Sequence, residues 1–306
     1  MPTLGTRIAD WLDEPVPLLR LEIVRIAAPL AVLGFMSSRL AHADEWIGDA
    51  GFRVPDLGGD WRQPLFIPAL PAWLAWTLAG VMIASGLACA AGYRARPSAA
   101  IFAATLAFVA LSDRLAAFTV SKMSPVVMLA VALGPAGSIL GVDAWRRDRA
   151  AGANGAGPDG GKGLERPLAM QPIGSVRFLQ VLPVVIYSAS GIAKARGDWL
   201  HHPLVLWSHL HDSYQTPIAF ALASALPGWS WTVFQAMVLA FEMLAPLWFG
   251  WSRTRPYALV FGLGMHAMIG LMFGPVVWFA LLMMTLLVAG HTPERLVVKW
   301  SRPFAA

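Results

Sequence analysis

Again and again this chain runs for about 20 residues with few polar side chains, the length of helix that crosses the hydrocarbon layer of a bilayer. Eight such stretches lie near 20–40, 72–92, 98–118, 123–142, 173–194, 229–250, 256–273 and 275–290. Together they take up more than half of the 306 residues. A soluble chain has no core able to bury so much apolar surface. Here 57% of residues are apolar and 13% charged, about half the charged share of an ordinary soluble domain. The runs are too long and continuous for the alternating strands of a membrane β-barrel. Disorder, coiled coil, collagen and disulfide scaffolds are excluded as well, the last because Cys89 is the sole cysteine. The fold class is therefore all-α: a polytopic helical membrane bundle of about eight spans. Gly274-Pro275 makes the last two a tight hairpin.

Basic residues orient the bundle. With the N-terminus cytoplasmic, the inner segments hold Arg7, Arg20, Arg94, Arg96, Arg146, Arg147, Arg149, Lys162, Arg166, Arg253, Arg255, Arg295, Lys299 and Arg302. The outer segments hold only Arg53, Arg62, Lys122 and Arg196. That bias obeys the positive-inside rule, so the net charge of +5 reports topology and calls for no nucleic-acid partner. Asp10, Asp13 and Glu14 stand where a signal peptide carries basic residues, so no cleavable leader is expected. The expected location is the plasma (inner) membrane, crossed several times.

A single domain over 1–306 is expected, with four spans over 20–142 and four over 173–290. The Gly-rich, basic stretch 144–172 between them reads as a flexible cytoplasmic loop. Two outer segments are longer. Residues 41–71 hold Asp44, Glu45, Asp49, Asp56 and Asp60 with Trp46 and Trp61. Residues 195–228 hold His201, His202, His209 and His211, whose spacing lacks a metal-ligand pattern. No metal is expected.

Ionisable groups at membrane depth are costly and mark where function is to be sought. On the fifth span Arg177, Gln180, Val184, Tyr187, Gly191 and Lys194 follow the rhythm of one helix face. Trp231, Gln235, Val238 and Glu242 do the same on the sixth, and His266 stands among Gly262, Gly264 and Gly270 on the seventh. At about 1.5 Å of rise per residue, Glu242 and His266 share a level just inside the midplane, with Glu22, Arg25, Arg177 and Gln180 in the same inner half. Lys194 falls at the outer rim, with Asp113 and Arg114 in the outer half. This depth count predicts two polar layers and no direct Lys194–Glu242 pair. Snorkelling of Arg177 and Lys194 and a purely structural Glu242–His266 contact stand beside the functional reading.

At the fifth span, RFLQVLPVVIYSASGIAKARGDWL, with Tyr187, Gly191, Lys194 and Trp199 in one register, resembles the HTTM superfamily of membrane proteins, which includes the vitamin K-dependent gamma-carboxylases. The later segment FEMLAPLWFGWSRTRPYALVFGLGMHAMIGLMFGPVVWFALLMM resembles the same family, clearly over 173–290 and more faintly over 20–143. The resemblance implies a reduced isoprenoid quinone of the vitamin K type as cofactor and Lys194 as the base that deprotonates it. Gln180, Tyr187, Trp199, Glu242 and His266 would then line the substrate or quinone pocket. A lysine serves as a base only where desolvation or neighbouring cations favour its neutral amine, and Arg196, Lys122 and Arg114 are the cations at hand. These 306 residues contain no counterpart of the carboxylase's large lumenal domain, and SKMSPVVML lacks the carboxylases' polar pair. The chain is thus similar to short bacterial members of the group.

Three functions follow. One is a quinol-using, carboxylase-like membrane enzyme. Another is a non-enzymatic accessory protein for maturation or export, with a secreted or membrane protein as partner. The third is a small transporter using Glu242 and His266 as a proton relay.

Overall fold

A computed structural model describes residues 3–51, 67–112, 118–153 and 170–301. Asp113, Arg114, Lys162, Arg166, Arg302 and residues 52–66 of the acidic segment 41–71 (Arg53, Asp56, Asp60, Trp61 and Arg62 included) lie outside the described residues. In chain order the helices are α1 (Leu4–Asp13), α2 (Leu19–Leu40), α3 (Ala43–Trp46), α4 (Ala72–Ala91), α5 (Ala95–Ser112), α6 (Thr119–Leu133) and α7 (Val142–Ala153). They continue with α8 (Gly174–Arg196), α9 (Val205–His209), α10 (Pro217–Ala225), α11 (Gly228–Met243), α12 (Ala245–Gly250), α13 (Arg255–Met272), α14 (Val277–His291) and α15 (Glu294–Ser301). Two short strands, β1 (Pro15–Pro17) and β2 (Met170–Pro172), pair antiparallel with Val16 opposite Gln171.

The protein is mostly helical. Among the described residues four helices are long and apolar enough to cross a membrane by length and composition: Ala72–Ala91, Ala95–Ser112, Gly174–Arg196, and Gly274–His291, which includes a first 3-10 turn. Charge sets α2 apart from these four, and length sets α6 apart. α2 carries Arg20, Glu22, Arg25 and Arg39, and α6 has only 15 residues. The expected span at 123–142 stops at Leu133, where Gly134-Pro135 turns the chain. The expected span at 229–250 breaks at Leu244. Pro246 lacks an N–H and crowds the carbonyl four residues back, that of Glu242, so α11 ends at Met243 and a separate short helix follows. The stretch 144–172, expected as a loop, begins in the helix α7 and ends in the strand β2, with 154–169 outside the described residues.

The residues group into two compact units, 1–177 with 294–306, and 178–293. In the first, α2, α4, α5 and α6 pack together around Leu21, Val24, Met36, Met82, Phe102 and Met128, all buried. Gly92 permits a close approach there. It ends α4 with φ 72°, and a Cβ on it would lie 2.9 Å from the Gly141 Cα. A buried ion pair fixes the same corner. Arg25 pairs with Glu22 on the next turn of α2 and donates to the carbonyls of Cys89 (2.8 Å), Ala90 (2.7 Å) and Leu140 (3.2 Å). Glu22 Oε1 in turn accepts the Ser138 N–H at 2.9 Å. Arg25 thus caps the last turn of α4, where orphan carbonyls need donors.

In the second unit α13 packs on α14, while α9, α10 and α12 fill in against α11 and α13. Leu282, Met283, Leu286 and Leu287 form its apolar interior on α14. Trp231 of α11, with Leu210, Ala219 and Met272, anchors the segment between α8 and α11.

A lysine–glutamate pair beside a tyrosine–histidine pair

Both pairs are built on α8. Gly191 is the close-approach point: a Cβ there would meet Met243 N at 2.8 Å and the Glu242 carbonyl carbon at 3.0 Å. Without a side chain, α8 lies directly against the end of α11. Lys194 follows three residues on, so it sits above Gly191 on the same face, and its Cα–Cβ bond leans back toward the helix start. Its ammonium reaches Glu242 Oε1 at 2.5 Å. The Trp199 ring covers the other side, with Lys194 Nζ 4.6 Å from its centroid, a cation–π contact.

This pair corrects the two-layer expectation. Two features bring the pair together: a lysine stem spans more than a helical turn, and the sixth span is not straight. Phe241 and Phe249, eight residues apart, would stand about 12 Å apart along an unbroken helix; their rings are 6.0 Å apart. The other members of the expected inner layer find partners elsewhere. Glu22 and Arg25 pair with each other. Arg177 bonds Glu14 Oε2 at 2.6 Å and lies over the Trp11 ring at 5.2 Å, so it is tied to the N-terminal segment.

Two turns below Lys194, the Tyr187 hydroxyl meets His266 Nε2 at 2.7 Å. Both side chains are buried, 2% and 1% exposed. The Tyr187 ring is edge-on to Phe241 at 5.1 Å and stacked on Phe249 at 6.2 Å, and Phe279 closes on His266 at 5.6 Å. Two polar atoms of this group, Glu242 Oε2 and His266 Nδ1, are buried without a hydrogen-bond partner among the described residues. Buried polar atoms are rarely left so, and here they stand against aromatic walls. Phe241 and Phe249 belong to the site and escaped the sequence reading. Their signal was Pro246, which breaks the span between them.

Of the expected pocket residues, the structure brings Lys194, Trp199 and Glu242 together and joins Tyr187 to His266. Gln180 does not join them. It lies about 21 Å below Lys194 along α8, where its amide donates to the Gly290 carbonyl at 2.7 Å. His201, His202, His209 and His211 make no cluster: His209 and His211 bond carbonyls of their own segment, Val205 and Trp207. Among the described residues no group of three or more His, Cys, Asp or Glu is placed to hold a metal ion.

Gln235, buried on α11, holds the cover in place. Its Nε2 donates to the Trp199 and His202 carbonyls, both at 2.8 Å, and its Oε1 accepts the Leu206 N–H at 3.0 Å. Three backbone groups of the loop over Lys194 thus depend on one amide. Gln235→Met is expected to free the loop and raise the rate at which an amine-specific reagent modifies Lys194, read by mass spectrometry. Trp199→Leu is expected to raise it by a similar factor, and the double variant no further, because both act through the same ring.

A family model for the HTTM domain matches residues 166–291. No curated protein and no solved structure matches the chain.

Proposed function

Because this membrane protein carries an HTTM domain over residues 166–291, we propose that it is a quinol-using enzyme related in chemistry to the vitamin K-dependent gamma-carboxylases, with Lys194 as its base. The reading includes about eight spans, a cytoplasmic N-terminus and residence in the plasma (inner) membrane. The observation that carries it is the Lys194 ammonium held between Glu242 Oε1 at 2.5 Å and the Trp199 ring at 4.6 Å. A lysine so placed has a proton acceptor built in.

The residues fit an aromatic ring bearing hydroxyls. Glu242 Oε2 is an acceptor and His266 Nδ1 a donor or acceptor, both buried and unpartnered, beside the rings of Tyr187, Phe241 and Phe249. A reduced isoprenoid quinone bound there supplies an ionisable hydroxyl and two electrons. The chain's own part is proton handling. Transfer of one proton from Lys194 Nζ to Glu242 converts the ion pair into a neutral amine and a carboxylic acid. The amine lone pair then accepts a proton from a hydroxyl brought to Nζ, which restores the ammonium. Apolar walls keep water from competing for that proton, and Tyr187 and His266 orient the ring by hydrogen bonds. Purified protein in lipid, given reduced quinone and dioxygen, is expected to consume quinol with uptake of oxygen. Lys194→Ala is expected to abolish this; undiminished turnover in that variant, if folded, refutes the assignment.

The same ion pair favours one alternative, a non-enzymatic accessory protein for secreted-peptide maturation or export. A lysine whose charge is already neutralised by Glu242 and covered by Trp199 can serve as a brace alone. In that case Lys194→Ala loses stability while quinol is never consumed, and partner capture depends on the segment 195–228.

A further inference from the structure

We propose that the turn joining α4 to α5, together with the start of α7, forms a binding site for the phosphate headgroup of an anionic phospholipid. Arg94 and Arg146, far apart in sequence, converge on one aromatic ring. Their guanidinium carbons stand 5.9 and 5.0 Å from the Tyr93 centroid. Two like charges gathered at one ring repel, and an anion shared between them offsets that repulsion. Among the described residues neither guanidinium meets a carboxylate. Asp143, at the start of α7, points its Oδ2 to the Ala95 N–H at 3.3 Å. Asp148 sits two residues past Arg146, roughly 200° around the helix.

Neighbouring arginines are spent differently, which sets these two apart. Arg96 donates to the Ala132 carbonyl at 3.1 Å. Arg147 donates to the carbonyls of Gly137 and Ser138 at 3.1 and 2.8 Å. Arg94 and Arg146 lie against the Tyr93 ring and make no hydrogen bond or ion pair among the described residues, which leaves their N–H donors for an oxyanion, the group arginine binds through its planar fork. The backbone supports the convergence at a cost. Arg94 is the only non-glycine residue with positive φ, 43°, among the described residues, a conformation L side chains avoid.

The place fits the ligand's source. α4 and α5 are both candidate spans, so the turn between them lies where the hydrocarbon ends and headgroups begin. Tyr93 and Trp145 are exposed there, at 38% and 57%, as interfacial aromatics are. Arg149 stacks over Trp145 at 5.2 Å, adding a third cation to the rim. A basic pocket at the cytoplasmic end of packed spans is a recognised setting for anionic lipid.

The test uses the whole protein in nanodiscs of phosphatidylcholine with or without phosphatidylglycerol. Wild type is expected to retain phosphatidylglycerol on release into the gas phase, counted by native mass spectrometry, and to melt higher in the anionic discs. Arg94→Gln/Arg146→Gln is expected to lose about tenfold in retention and most of the melting increment. Equal retention by wild type and the double variant overturns the proposal. So does an equal rise in melting with inorganic phosphate in phosphatidylcholine discs, since that marks a free-anion site. If the double variant does not fold, Arg146→Gln alone, on an exposed helix face, carries the same comparison.

Discussion

Replacing Lys194 with methionine is expected to destabilise the protein more than removing both Lys194 and Glu242. The single change strands a carboxylate that is 7% exposed, and breaking a buried pair from one side costs about 3–5 kcal/mol. Because the Lys194 side chain is 25% exposed, water screens part of that cost, and about 3 kcal/mol is the expected figure. Lys194→Met/Glu242→Leu leaves no stranded charge and should recover most of it, as buried pairs replaced by apolar groups generally do. Thermal unfolding of the two variants in one detergent measures the difference. The experiment also separates the two readings of the site. Recovery of stability in the double variant with quinol turnover still absent assigns chemistry to the pair. A single variant no less stable than the double one contradicts the burial on which both readings rest.

The second large effect is expected at Arg25. Arg25→Ala removes the donors to Cys89, Ala90 and Leu140 as well as the partner of Glu22, which is 1% exposed. Here nothing screens the loss, so the upper part of the same range applies, about 5 kcal/mol, a fall in melting midpoint of about 10 °C or more. Unlike the Lys194 case, adding Glu22→Ala is not expected to rescue it. The Ala90 and Leu140 carbonyls and the Ser138 N–H would still lose their partners, and unpaired buried backbone groups carry their own cost. Arg25→Lys should rescue little, since one ammonium cannot reach a carboxylate and three carbonyls in the planar fork arginine provides. A double variant restored to wild-type stability would show that the carbonyls find other donors.

The contrast between these pairs shows what a linear reading of the chain can reach. Long apolar helices were legible because hydrocarbon admits few alternatives: α4, α8 and α14 begin and end within a few residues of the runs that announce them. Tyr187, Lys194, Trp199, Glu242 and His266 were legible as polar residues where polar residues are expensive. Their pairing was not. Depth was counted to the Cα atom, whereas a lysine acts at Nζ, most of a helical turn closer to the helix start. The count also treated 229–250 as one rod, although Pro246 stands four residues after Glu242 and removes the hydrogen bond that would continue it. Gln235 was visible only as another polar residue on a stripe. That its amide serves three backbone groups of a loop some 30 residues earlier depends on chain reversal between α8 and α11, which no local pattern encodes.

The strand pair β1–β2 has a bearing on how such a chain can be cut and joined. Residues 178–293 form an insertion: the first unit is interrupted after Arg177 and resumes at Glu294. Both points of interruption are moored to one short stretch. Arg177 bonds Glu14, β2 pairs with Pro15–Pro17 just before it, and α15 packs on that same strand and on α2. Departure and return therefore share a single doorway around residues 14–17. A segment whose two ends meet at one place can be transplanted as a cassette. The cassette bounded here, with its lysine, glutamate, tyrosine and histidine all inside it, carries the whole candidate site.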